Sequence, residues 1–249
     1  MTELLKRKIG IVRDGGSDYP IFQKIVEVIL EANHGCPTDL IFVDLSRQSL
    51  RDPIDAYWQA TKNSSEYSLP SDPAKALRNK IAGLLLTGIY PDFTAEVGSI
   101  SNADVILLTS DSEHQVNSVN DYLEEEYVFA LLNILHSAIY KFYDSQVKYG
   151  YSYQNLPLVI PIITFPSTEV VIAAARDLYR QCLGKEPTDL KRLLYGKTEI
   201  PAITDDEWEK NAYQYLTEEG IEKIYKTIPD CRQMIHLLSV LNPLQISCP

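Results

Sequence analysis

Three carboxylates stand where an α/β chain presents its chemistry. Asp14 opens the run DGGSD after the apolar tetrad Ile9–Val12, and Asp111 and Glu113 lie in TSDSEHQ after DVILL. Each apolar run reads as a buried strand, so each acid lies at a carboxyl end, where open α/β sheets gather their ligands. Strand alternation points Asp111 and Glu113, one residue apart, in the same direction. Carboxylates that converge while leaving positions open for water and a phosphate suit a hard cation, Mg2+ or Mn2+. Behind Asp14, Gly15 and Gly16 permit close backbone approach. The helix start at Ser17 or Asp18 offers N–H groups to an anion, with Arg13 alongside. A structural role competes with this one, because acids at helix starts also serve as caps and dipole partners. It suits Asp18 better than Asp14, and it would make Asp111 and Glu113 caps of a helix beginning near Asn117 or Asn120. His114 follows the pair; a lone histidine beside acids is more often solvated or hydrogen-bonded than a ligand.

For these acids to meet, the first and third strands must be neighbours. The spacing predicts a strand over Ile9–Val12 and then a helix with Pro20 in its first turn, where the missing N–H does no harm. Ile21, Ile25, Val28, Ile29 and Ala32 recur at helical spacing, with Gly35 as the stop. A second strand covers Leu40–Leu45. Residues 46–70 are polar, aromatic and proline-flanked, and read as an insertion with one short helix. A helix from Asp72 through AGLLLTG precedes the third strand, Asp104–Ser110. A long helix of about six turns follows, its apolar face Val128, Leu131, Leu132, Leu135, Ile139 and Phe142. The fourth strand is LVIPIITF, whose Pro161 belongs at an edge or a bulge. Beyond Pro166 the pattern turns helical. The expected fold is α/β, a mostly parallel sheet with helices on both faces over residues 1–165, with a helical C-terminal part over 166–249 packed on it.

Composition narrows the function classes. The 249 residues are 45% hydrophobic, enough for a sizeable core, and carry a formal charge of −11. Proteins that hold nucleic acid unaided usually show a basic excess. Here there are two modest basic clusters, Lys6, Arg7 and Lys8 with Arg13 beyond, and Lys191, Arg192 and Lys197. A metal, a small anionic ligand or a basic partner would ease that objection. The four cysteines, Cys36, Cys182, Cys231 and Cys248, form no CxxC pair and no zinc spacing, which fits free thiols in a cytoplasmic protein. No apolar run reaches membrane-spanning length, and the charged N-terminus does not read as a secretory signal. GxSxG and P-loop patterns are absent. The sixteen tyrosines, YGYSY at Tyr149–Tyr153 among them, suit base stacking or an interface, and equally suit the margins of the core. Glu124–Glu126 reads as a solvated first helical turn.

An acid–Gly–x–Ser/Thr–acid turn after the first strand, with an acidic pair closing a later one, resembles the TOPRIM fold. That is the Rossmann-like metal-binding domain shared by topoisomerases, primases and overcoming-lysogenization-type nucleases. Asp14 stands where the family has glutamate, and Asp111 and Glu113 stand where it has aspartate–x–aspartate. Further on, LPLVIPIITFPSTEVVIAAA followed by LYGKTE is similar to a group of uncharacterised TOPRIM-like proteins, with Glu169 and Lys197 at the matching positions. The aromatic residue of that pattern is replaced here by Val171 and Ile172. The resemblance implies a Mg2+- or Mn2+-dependent nuclease or phosphodiesterase. Its metal carboxylates would be Asp14, Asp111 and Glu113, with Asp14 as base or ligand, Glu169 as a further site acid, and Lys197 or Arg13 facing the phosphate. The acidic charge implies that nucleic acid arrives through a partner subunit such as an ATPase. The competing expectations are a degenerate TOPRIM-like assembly or ligand-binding subunit, and a small-molecule phosphoester binder resting on the glycine turn.

Overall fold

The structure, a computed structural model, describes residues 5–13, 18–32, 38–45, 50–62, 71–87, 103–111, 125–153, 156–183, 185, 187–196, 210 and 213–240. Four strands, β1 (Leu5–Val12), β2 (Thr38–Asp44), β3 (Val105–Asp111) and β4 (Leu158–Thr164), form one all-parallel sheet in the order β2-β1-β3-β4. The first and third strands are neighbours, in register from Ile9 beside Val105 to Val12 beside Leu108. The chain steps from β1 to β2 on one side and to β3 on the other, so the order reverses between β1 and β3. Their carboxyl ends therefore flank the crevice where α/β sheets of this kind take ligands.

Helices cover both faces, as the unbroken apolar strands require. On one face Ile9, Ile11, Val105, Leu107, Ile160 and Ile162 pack under α1 (Asp18–Ala32) and the C-terminal helices. On the other, Val12, Ile106, Leu108, Val159 and Ile163 pack under α2 (Arg51–Lys62), α3 (Ser71–Thr87) and α4 (Glu125–Lys148). The C-terminal helices α5 (Glu169–Ala175), α6 (Tyr179–Cys182), α7 (Pro187–Tyr195), α8 (Glu218–Thr227) and α9 (Pro229–Val240) complete the first face and share one apolar cluster with α1. Every residue of β3 is buried, which makes it the strand with least access to solvent.

Several boundaries differ from the sequence reading. β1 begins at Leu5, because pairing with Thr38–Ile41 carries its ladder past the apolar tetrad. The Lys8 N–H also donates to the Asp104 carboxylate at 2.8 Å. Within the stretch read as an insertion, α2 runs for 12 residues and buries Ile54, Tyr57 and Trp58 at helical spacing in the α2/α3/α4 core. Its exposed side carries Asp52, Ala56 and Gln59, which gives the stretch its polar look. Glu125 begins α4, while Gly35, Asn117 and Asn120 lie outside the described residues. The exposed tyrosines Tyr140, Tyr149 and Tyr153 lie on or just after α4, and Tyr57 and Tyr195 lie in the core.

Pro161 sits on an edge strand, and the outward N–H positions of that edge are accounted for one by one. The Val159 N–H donates to the Tyr143 hydroxyl at 3.1 Å, Pro161 has no N–H, and the Ile163 N–H donates to the Asp230 carboxylate at 3.1 Å. This arrangement blocks pairing with another chain at that edge. Asp230→Ala leaves the Ile163 N–H without its acceptor, and urea denaturation should show a loss of about 1–3 kcal/mol. Burial raises the Asp230 carboxyl above its ordinary range, against the opposing effect of the Ile163 hydrogen bond. The folded state therefore holds this proton more tightly than the unfolded chain. Relative to Asp230→Asn, the wild type should lose stability as pH rises from the unfolded pKa through the raised folded value, and stay level above it.

Candidate functional site

The carboxyl ends of β1, β3 and β4 deliver the polar groups. Asp18 opens α1 just beyond β1 and is wholly buried, at 0% exposure. Asp111 closes β3 at 7% exposure. Thr164, the last residue of β4, lies beside Asp111 in register and donates its hydroxyl to Asp111 Oδ1 at 2.7 Å. From β3, the Thr109 hydroxyl lies 3.2 Å from Asp18 Oδ2 and 3.3 Å from the Val12 carbonyl. After β4 the chain turns through a cis Phe165–Pro166 bond and Ser167 to Thr168, just ahead of α5.

Thr168 joins the two acids. Its Oγ1 lies 2.7 Å from Asp18 Oδ1 and 2.7 Å from Asp111 Oδ1, with Thr164 Oγ1 at 3.2 Å. The two carboxylate oxygens are thus within about 5.4 Å, close enough for like charges to repel strongly out of water. One hydroxyl carries one proton, so Thr168 donates to only one carboxylate at a time. Thr168 also occupies the N-cap position of α5, where threonine commonly bonds an N–H of the first turn. Here its backbone is helical, φ −60° and ψ −25°, and its side chain makes no cap bond.

Beside it, the Glu169 side chain is 2% exposed, with Oε1 3.8 Å from Lys191 Nζ. Glu169 Oε2 and Ser167 Oγ are both buried without a hydrogen-bond partner. Arg13 turns the other way: its Nε and Nη2 lie 3.2 and 2.8 Å from Asp44 Oδ2, tying the ends of β1 and β2 together. Burial pushes the thiols of Cys182 and Cys231 up, Cys231 most of all, which leaves both poor nucleophiles at neutral pH.

Of the residues assigned to the site in the sequence, Asp111, Glu169 and Arg13 are described; Asp14, Gly15, Gly16, Ser17, Glu113 and Lys197, and with them His114, lie outside the described residues. The structure brings Asp111 to Asp18, which the sequence reading had favoured as a cap, and brings Lys191, one member of a thin basic cluster, to Glu169. Thr109, Thr164 and Thr168 were not foreseen. The one available signal was the hydroxyl-rich turn TFPSTE, in which Thr164, Ser167 and Thr168 flank a proline between a strand and a helix.

The donors gathered here are all oxygen, carboxylate and hydroxyl, the set that Mg2+ and Mn2+ prefer. Among the described residues, no group of three or more His, Cys, Asp or Glu is placed to hold a metal ion. Asp111 would therefore supply part of such a site, with Asp18 beside it and Asp14 and Glu113 as the other carboxylates the sequence offers. No protein-family model matches the chain, and neither a curated protein nor a solved structure matches it.

Proposed function

We propose that this chain is a divalent-metal-dependent phosphodiesterase of TOPRIM-like type that acts on nucleic acid in the cytoplasm. The observation that carries this reading is the meeting of Asp18 and Asp111 in the crevice between β1 and β3, across a single hydroxyl. Two carboxyls buried this close together are costly to ionise, and such a cost is most readily kept where a cation will offset it. Asp111, with Asp14 and Glu113, holds Mg2+ or Mn2+. When bound, the ion polarises a phosphoryl oxygen and lowers the pKa of a water. Asp14 serves as base or further ligand. Glu169, the further site acid, is held beside Lys191, and Lys197 is the cation offered to the phosphate. Thr164 fixes the Asp111 carboxylate by donating to it, and the Thr168 hydroxyl lies 2.7 Å from the same oxygen. The charge of −11 calls for a basic partner, such as an ATPase subunit, to bring the polyanion in.

A second reading, a catalytically degenerate assembly subunit, draws on Arg13. That candidate phosphate contact is turned onto Asp44. Calorimetric titration with Mn2+ separates the two. The enzyme reading expects one site per chain and Mn2+-dependent cleavage of DNA or RNA. Absence of binding up to millimolar Mn2+ would remove the enzyme reading and leave the assembly subunit.

A further inference from the structure

We infer that Thr168 is a positioning residue, whose one hydroxyl sets the spacing and orientation of the Asp111 carboxylate against Asp18. The inference rests on the metal-binding reading of Asp111 given above, and three observations lead to it. Thr168 Oγ1 is equidistant, at 2.7 Å, from carboxylates contributed by α1 and by β3, 150 and 57 residues away in the chain. The residue is fully buried, so solvent does not compete for the hydroxyl. It also stands where threonine would cap a helix and makes no cap bond, so its hydroxyl is spent on the acids and not on α5.

The surrounding turn is built to hold it still. The Val170 and Val171 N–H groups bond the carbonyls of Ser167 and Thr168 at 3.0 Å, and all seven residues of α5 are buried. Thr164 steadies Thr168 from the adjoining strand end, 3.2 Å away. A hydroxyl packed in this way between two acids fixes the orientation of the Asp111 carboxylate, and with it the direction of any bond that the carboxylate makes to a cation. Outer groups that orient a ligand carboxylate typically change metal affinity by about 10- to 100-fold when removed.

The experiment is a Mn2+ titration of the wild type, Thr168→Val and Thr168→Ser, read by calorimetry and by the electron paramagnetic resonance signal of free Mn2+. Melting curves without metal verify that each variant folds. Thr168→Val keeps the shape and loses the hydroxyl, so its dissociation constant should rise about tenfold or more. Thr168→Ser restores the hydroxyl and should bind within about threefold of the wild type, a rescue that packing alone would not give. Equal affinity in wild type and Thr168→Val overturns the positioning role and leaves the metal site standing. A wild type that binds no Mn2+ overturns both. Should Thr168→Val fail to fold, Thr168→Ala, which also removes the hydroxyl and adds no bulk, takes its place. Mn2+ affinity equal to the wild type in that variant overturns the inference equally.

Discussion

Asp111→Asn should abolish Mn2+ binding and lower metal-dependent phosphodiester cleavage by about 10³-fold or more, while leaving the metal-free fold as stable as the wild type or more so. The two effects have one origin. Asp111 is buried at the end of the most enclosed strand, sharing a hydroxyl with a second buried acid. Two unit charges no more than about 5.4 Å apart would repel by about 3 kcal/mol or more at an effective dielectric of about 20, and the hydroxyl donors would offset part of that. Asparagine keeps an oxygen for Thr164 and Thr168 and removes the charge, so the repulsion goes while the hydrogen bonds stay. The charge, however, is what a divalent cation needs. Urea denaturation without metal should give a midpoint unchanged or raised, and calorimetry should give no Mn2+ site. A purely structural Asp111 predicts the reverse pattern, a loss of about 2 kcal/mol or more with Mn2+ binding retained.

The same residue shows where the sequence was legible and where it was not. Strand and helix alternate in the first half with strong periodicity, so the parallel sheet and the place of Asp111 at a carboxyl end followed from apolar runs and turn residues, whereas the adjacency of β1 and β3, which apolar runs do not encode, came only with the strand order. Pro161 announced an edge or a bulge, where a missing N–H is tolerated, and the strand is an edge. Other features depend on contacts between residues far apart, which leave no local pattern. Asp18 reads as a cap from its neighbours alone; its burial and its bonds to Thr109 and Thr168 exist only once three strand ends are brought together. Threonine hydroxyls carry no periodic signal, because the residue is equally at home in a strand, a turn or a core. In α2 the signal was present and outweighed. Ile54, Tyr57 and Trp58 have helical spacing, but the polar residues and prolines around them dominate a reading by composition.

Gly220→Ala should cost about 3 kcal/mol of stability, the upper range for forcing an atom into a packed interior, while Gly83→Ala should add about 0.5–1 kcal/mol. Both glycines lie in helices, and their surroundings decide the sign. A Cβ on Gly83 would meet nothing within 4 Å, so alanine there only restricts the unfolded chain and favours α3. A Cβ on Gly220 would fall 2.0 Å from the Tyr215 carbonyl oxygen and 3.2 Å from the Ala175 Cβ. The first of these is backbone and cannot swing aside. Gly220 also supplies the N–H that Thr217 accepts at 3.3 Å in capping α8, so relieving the clash pulls against the cap. The strain does not stay in α8. Ala175 ends α5, the helix that Thr168 leads into, and α5 is wholly buried with α8 packed against it. Displacing α8 therefore presses on the element that holds Thr168 between Asp18 and Asp111. Urea denaturation of the two variants should show opposite shifts, and only Gly220→Ala should also weaken Mn2+ binding. If Gly220→Ala loses stability with Mn2+ affinity unchanged, α5 is anchored to the strand ends independently of the layer above it, and the Thr168 contacts alone set the geometry of the acids.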